Sequence, residues 1–574
     1  MNKATITRNQ AIEKLCASGE IYELNSTQIN DRNVKVFKNA PKTLNELYFS
    51  NSSDLDFIVY QDERYTFSQI LKLSTQLANI MTSELGIRKG DRVGISMRNY
   101  PEWSIAFIAT TSIGAIAVSL NALWGPKDLK FAIDDCDPKL LFVDQERLTN
   151  LSNVINKEND MKVIRVRAKE NKDLFSYCWK ELFSRHPNFN ALESKITADD
   201  DATIIYTSGT TGFPKGVVST HRNIIHALMS WELEIEIRAL RYELDKQELP
   251  FQEAMLLAVP LFHVSGSHVV LLASFRNQRK MVCMYKWDAE EGLRLIQKEK
   301  VTSFIAAPAI TSDLVNAYDK SRHDISTLLI LGGGGAHRAP EQVKEIDSLN
   351  EIIMPQIGWG MTETNAIGTS AIGDAYADRP SSCGECSAVL QMRIVSESGA
   401  EMANGEVGEL QVRGTSMFRG YWNKLDDKLD CFDGDWFKTG DVAKINPDGF
   451  IYIMDRIKDL IIRGGENVSC SSVEYALMEH PEIVEACVYS IPDVRLGELV
   501  AATIYTKSKL TEHTIKSFLE GKLANFEIPE AIKISSVPLQ RGASGKITKR
   551  LVQKAALTSL SVSYTHLRAH ETNS

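Results

Sequence analysis

The sequence predicts an α/β protein. A large N-terminal layered α/β domain carries a β-rich subdomain and is followed by a small α+β C-terminal domain. Three observations carry this expectation. Through the middle of the chain, short apolar runs alternate with segments of helical period, as a largely parallel sheet requires. From about Arg393 the texture turns to strands and turns, in GEVGELQVRG and then DGFIYIMD. After Asp455 it shifts again, to a compact mixture of helices and strands.

Taken in order, the first notable segment is Ser104 to Trp124, uncharged for long enough to span a bilayer. It carries several Ser and Thr residues, Gly114 and Asn121, and lies within patterned globular sequence, so it reads as a buried helix and strand. MLLAVPLF, VTSFIAAP, LLILGGG and EIIMPQIGW read as buried strands. Between them lie helix-period segments: AEEGLRLIQKEK, with Ala289, Leu293 and Ile296 on one face, then ITSDLVNAYDK and APEQVKEIDSL. Glu232 to Gln252 is charged and reads as a helix plus a surface connection, with its charges solvated. Beyond Asp455, VEYALMEHP, VEACVYSIP, VAATIYT, TIKSFLEGKL and AIKISSVP form the C-terminal α+β unit.

Composition narrows the class. A chain of 574 residues, 43% hydrophobic, can bury a sizeable core and divides into more than one domain. A net charge of -9 without a basic tail argues against nucleic acid as a partner. The start, MNKATITRNQAIEKLC, lacks the apolar core of a secretory signal, and nine cysteines without a regular framework fit a reducing compartment, so the expected location is cytoplasmic with no transmembrane segment. Cys383-Gly-Glu-Cys386 finds no second CxxC with which to build a metal site and reads as a loop. Val562 to Thr572, VSYTHLRAHET, resembles a sequencing-library adapter translated in one frame, so residues 561–574 are set apart from fold reasoning.

The most informative stretch is Tyr206 to Gly216, YTSGTTGFPKG. Its glycines let the backbone approach phosphate oxygens, Thr207, Ser208, Thr210 and Thr211 offer hydroxyl donors, and Lys215 adds a cation. That is the chemistry of a triphosphate cradle. It is not a Walker A loop, because Pro214 separates Lys215 from the preceding glycines.

With this loop, the chain resembles the adenylate-forming (AMP-binding) superfamily of acyl-CoA synthetases, aryl-CoA ligases, luciferases and peptide-synthetase adenylation domains. Further motifs follow in that superfamily's order: PLFHVSG from Pro260, GWGMTET from Gly358, WFKTGD from Trp436, DRIKDLIIRGGEN from Asp455 and GASGKITKR from Gly542. The resemblance covers nearly the whole chain. It implies an N-terminal nucleotide- and acyl-binding domain over 1–455 and a small mobile C-terminal domain over 456–560.

The resemblance also implies roles. Thr207, Ser208, Gly209, Thr210, Thr211, Gly212 and Lys215 would wrap the β and γ phosphates of ATP. Glu363 would hold Mg2+, with Thr210 as a second ligand, since a hard cation prefers oxygen donors. Thr362 would touch the α-phosphate, and Gly360 and Met361 would belong to the same nucleotide site. Trp359 stands where the superfamily usually has tyrosine and would stack on adenine, opposite Gly333, Gly334, Gly335 and Ala336. Asp441 would accept from the ribose hydroxyls and Arg456 would support it. Lys546 would catalyse adenylate formation, with Thr210, Glu363 and His263 completing the catalytic set. Lys458 matches the hinge, and Gly464 and Gly465 match the glycines beside the pantetheine tunnel of coenzyme A. Residues Val264 to His268 would line the acyl tunnel. The expected reaction is ATP-dependent synthesis of an acyl-CoA through an acyl-adenylate. A small-molecule carboxylic acid is the substrate, a fatty acid of medium or long chain being favoured, with an aryl-acid–CoA ligase or a fatty acyl-AMP ligase loading a carrier protein as alternatives. His263, where an amino-acid-activating domain has Asp, argues for a plain carboxylic acid.

Overall fold

The protein is described from a computed structural model. It covers residues 4–29, 32–151, 154, 161–169, 176–186, 195–207, 214–244, 249–336, 338–423, 431–542 and 545–558. The adapter-like tail and the phosphate-loop positions Ser208 to Gly212 lie outside these.

Among the described residues, two large sheets and the small ribbon Leu24–Ile29 with Arg32–Phe37 build the N-terminal domain. In the first, parallel strands Arg92–Ser96, Ile116–Ser119, Leu140–Val143 and Lys162–Arg165 are joined by Asp201–Thr207, which turns back antiparallel on Lys215–Thr220. The second holds the strands read from the apolar runs, Ala254–Leu257, Ser303–Ile305, Ile330–Gly334 and Met354–Gly358, all parallel neighbours. Parallel strands covered on both faces have no solvated side, so their sequences are apolar throughout rather than alternating. Helices Ala289–Glu299, Pro308–Ala317 and Pro340–Leu349 are the crossovers between them, and Leu293 and Ile296 of the first are fully buried.

The segment uncharged from Ser104 to Trp124 belongs to helix Pro101–Ser112 and strand Ile116–Ser119, both buried all round, with Trp103 inaccessible to solvent. Among the described residues no helix is long and apolar enough to cross a membrane.

Two expectations change, and the β-rich stretch is joined directly to the parallel sheet. Strand Gly384–Cys386 pairs with both Thr369–Ile372 and Phe450–Arg456, so strands Leu390–Val395, Gly408–Gly414 and Trp436–Ile445 extend the parallel sheet with antiparallel neighbours. The CxxC segment is therefore strand rather than loop, and the Cys383 thiol meets the Ile451 carbonyl at 3.3 Å. The charged helix His221–Arg241 is also not simply solvated. Glu234 is buried because Arg8 of helix Arg8–Leu15 grips it through two bonds of 2.6 and 2.7 Å, and no short-range pattern could have announced a partner 226 residues away.

The C-terminal unit has its own core. Strands Ile461–Arg463, Glu466–Val468, Ile483–Asp493, Gly497–Thr506 and Ala531–Ser535 form one sheet against helices Cys470–Met478 and Glu512–Leu519, with Val473, Val488, Ala502 and Ile515 between them.

After PLFHVSG the chain enters a π-helix, Ser265–Leu272, a wide turn seen mostly at functional places. Its entry requires Gly266, because a Cβ there would lie 2.2 Å from the Pro260 carbonyl oxygen. Gly266→Ala is expected to lower stability by about 1–3 kcal/mol. A thermal melt of the variant equal to that of the wild-type chain would show that the turn relaxes freely.

Candidate active site

One cavity of about 1150 Å³ runs between the two parts of the chain. Its wall gathers Thr207, Lys215, His263, Gly333, Gly334, Gly335, Ala336, Trp359, Gly360, Met361, Thr362, Glu363, Asp441, Arg456, Lys458 and Lys546, residues that the sequence scatters over more than half its length.

The first cluster is anchored by the edge of the first sheet. Thr207 ends one strand opposite Lys215, which starts the next, and both residues line the cavity. A short third strand, Gly420–Tyr421, pairs beside Lys215–Thr220. It places the Tyr421 ring 5.0 Å from Lys215 Nζ, and the Tyr421 hydroxyl donates to Glu363 Oε1 at 2.8 Å. Sequence reading missed Tyr421; the only local signal was an aromatic in RGYWN, and its importance comes from strand pairing. Glu363 sits in a tight turn closed by left-handed Asn365 and Ala366. Burial raises its carboxyl above the usual range, and the Tyr421 hydrogen bond works against that rise.

The second cluster is built on paired strands. Asp441 and Arg456 are cross-strand neighbours, and Arg456 Nε meets Asp441 Oδ1 at 2.5 Å. The other oxygen, Oδ2, accepts from the indole N–H of Trp359 at 2.8 Å. Tryptophan in place of tyrosine is thus more than a mild change of ring, because it ties this wall of the cavity to a buried carboxylate. Burial pushes Asp441 upward, against Arg456 and Trp359, which favour its ionised form.

Lys546 reaches the same place from the C-terminal unit. A Cβ on Gly335 would lie 2.7 Å from both Cε and Nζ of Lys546, so the lysine fits because residue 335 is glycine, held at φ +80°. Burial lowers the Lys546 ammonium, the Arg456 charge adds to this, and Asp441 opposes it. His263 stands nearby, pushed down to about 4 by burial with the Lys546 charge contributing, so its imidazole is neutral at physiological pH.

The lining of the same cavity also includes the apolar side chains Trp231, Val259, Val264, Val269, Ile305 and Ala306, with Glu234 and Arg279 among them. The expected acyl lining needs correction here. Val264 and Ser265 line it, but His268 turns into the core, where Nδ1 pairs with Ser267 Oγ at 2.9 Å. Gly464 and Gly465 also fall outside the cavity. They form the exposed two-residue turn between Ile461–Arg463 and Glu466–Val468, at φ +62° and +95°, the geometry that a tight hairpin demands of glycine. Lys458 lines the cavity from the single 3-10 turn Ile457–Asp459, where its side chain is exposed.

Residues 49–422 match the AMP-binding enzyme family and residues 472–546 match the AMP-binding enzyme C-terminal domain. The chain belongs to the AMP-binding enzyme family. It is 29% identical to the long-chain-fatty-acid–CoA ligase FadD13 of Mycobacterium tuberculosis over 86% of this chain and 93% of the relative. It is 28% identical to the 2-succinylbenzoate–CoA ligase of Bacillus cereus, over 87% and 95%. Among solved structures it shares its fold with the anthranilate CoA ligase AuaEII in complex with anthranoyl-AMP, at TM-score 0.80 and 23% identity over 90% of this chain and 98% of that one.

Because the Tyr421 hydroxyl favours ionised Glu363, Tyr421→Phe is expected to raise the Glu363 carboxyl further. In an infrared pH titration, the protonated-carboxyl band present in the wild type and removed by Glu363→Gln should persist to higher pH in Tyr421→Phe. A band that disappears over the same pH range in both would break the link between these side chains.

Proposed function

We propose that this member of the AMP-binding family is an ATP-dependent, AMP-forming acid–CoA ligase, and that its acid is a fatty acid of medium or long chain. The observation that carries the reading is the meeting of Lys546, from the C-terminal unit, with Gly335 and the Asp441–Arg456 pair inside one cavity. A carboxylate is a poor electrophile, and both it and a triphosphate are anionic, so the enzyme must neutralise charge while holding them in line.

In this reading Thr207 and Lys215, with residues 208–212, hold the β and γ phosphates, Asp441 accepts from the ribose hydroxyls, and adenine lies between Trp359 and the Gly333 to Ala336 wall. A carboxylate oxygen of the acid attacks the α-phosphorus, the bond to the bridging oxygen breaks, and pyrophosphate leaves. Lys546 follows the negative charge from the carboxylate to that bridging oxygen, and Thr362 faces the α-phosphate. A thiolate of coenzyme A then attacks the acyl carbon and displaces AMP, its proton having passed to water. Gly464 and Gly465 would flank the thiol arm in this step, after rotation about Lys458.

Among the described residues no three His, Cys, Asp or Glu side chains converge to cage a metal. One buried carboxylate, Glu363, nevertheless fits Mg2+, which keeps waters and takes phosphate oxygens. Bound there with Thr210, the ion would supply further neutralisation of phosphate charge.

The apolar wall and the neutral His263 favour an uncharged acyl chain, and the FadD13 likeness supports a fatty acid. An aryl acid is the reading supported by the succinylbenzoate relative. A panel of free acids scored by pyrophosphate release separates the two. A response to benzoates with none to alkanoates from octanoate upward would overturn the fatty-acid assignment.

Lys546→Ala should lower ATP–pyrophosphate exchange by roughly 10²–10³-fold. It should spare thioester formation from a supplied acyl-adenylate, and Gly465→Leu should do the reverse. Equal loss of both half-reactions in both variants would refute this division of labour. The exchange rate needs the charged ammonium, so it should fall as pH rises through a Lys546 value lying below the usual lysine 10.5. An alkaline limb above that value would show that burial does not lower it in the working enzyme.

A further inference from the structure

The cavity also reaches Arg338, which stands immediately before Ala339, the cap of helix Pro340–Leu349. Arg338 is 2% exposed. Its Nη2 donates to Thr311 Oγ1 at 2.7 Å, while Nε and Nη1 are buried and make no well-formed hydrogen bond. Among the described residues no carboxylate pairs with it; the one group beside it that favours its charge is the buried Tyr376 hydroxyl, a weak neutral acceptor within hydrogen-bonding reach. A guanidinium stays charged at every physiological pH, and a desolvated cation with idle donors is unfavourable unless an anion meets it.

The surroundings limit what that anion can be. Gln342 lines the cavity from the helix that follows Arg338, and Ser471 and Tyr475 line it from helix Cys470–Met478 of the C-terminal unit. Tyr376 lines the same cavity, so the two phenols border one region. Guanidinium, hydroxyl and amide groups are suited to donate to oxygen. An apolar ligand would leave the two guanidinium donors idle, and a cation would meet a charge of its own sign.

We propose that Arg338, with Tyr376 and Gln342, binds a small phosphate-type oxyanion at the junction of the N-terminal sheet and the C-terminal helix. Both parts of the chain line the site, so an anion held there stabilises the arrangement in which Lys546 lies in the cavity. This second step rests on the ligase reading, whereas the site itself does not. The anion is either free phosphate or the pyrophosphate that the reaction releases.

The test is calorimetric titration of the full chain with inorganic phosphate, and separately with pyrophosphate, after the nucleotide cavity is filled with an acyl-sulfamoyl adenosine. Arg338→Met should weaken phosphate binding at least tenfold, and Arg338→Lys should retain part of it. Uptake of the adenosine analogue by both variants checks that they fold. Two pyrophosphates bound by the wild type against one by Arg338→Met would identify pyrophosphate as the source. Phosphate binding lost in Arg338→Met, with pyrophosphate stoichiometry unchanged, would identify free phosphate. Equal affinity for both anions in wild type and Arg338→Met, or no binding of either, overturns the site. Failure of the wild type to take up the analogue would count against the ligase reading alone, because Arg338-dependent phosphate binding can be measured without it.

Discussion

The cavity depends on one carboxylate. Asp441 holds the Arg456 guanidinium on one oxygen and the Trp359 indole on the other, and its charge offsets the nearby Lys546 ammonium. A lysine taken into a protein interior is pushed toward its neutral form unless an anion is close. Asp441 is pushed by the same burial toward its neutral form, and the cations beside it resist. Neither group would be well placed alone. Together they allow the C-terminal unit to insert a cation into the N-terminal cavity, and they fix the indole that forms part of its wall.

Glycine supplies the room for this. Gly335 leaves the space that Lys546 fills, and a Cβ on neighbouring Gly333 would come within 1.7 Å of the Ala306 carbonyl oxygen. The GGGG run is therefore a packing requirement as well as a candidate nucleotide wall. Sequence alone shows the glycines; only the pairing of Ile330–Gly334 with its parallel neighbours shows what each omitted side chain would have struck.

Much of the architecture was legible because parallel strands advertise themselves as continuous apolar runs and the crossover helices as periodic ones. Ile330–Gly334 and Met354–Gly358 fall where LLILGGG and EIIMPQIGW placed them. What stayed hidden depends on partners distant in sequence. Glu234 looked solvated because Arg8 lies in another helix, the Cys383 segment looked like a loop because its strand partners begin at Thr369 and Phe450, and Tyr421 gained significance only by pairing beside Lys215. Trp359 lines the cavity, but its indole N–H could not be given a partner from sequence 82 residues away. Charge and hydrogen-bond partners are long-range properties of this fold, whereas hydrophobic period is local.

The exposed Gly464–Gly465 turn gives the arrangement its logic. The two glycines sit on the same compact sheet as the strands that carry Val488 and Ala502, so they must move with the C-terminal core rather than on their own. Lys546 belongs to that unit too, through Arg541, whose guanidinium bonds both the Gly545 carbonyl and Glu485. A rigid body that carries both elements cannot present both to one cavity if they lie on different faces. With Lys546 inside and the glycine turn outside, the proposed exchange of the two would need rotation about the short link near Lys458, where the exposed 3-10 turn Ile457–Asp459 buries no side chain that would have to be torn from a core.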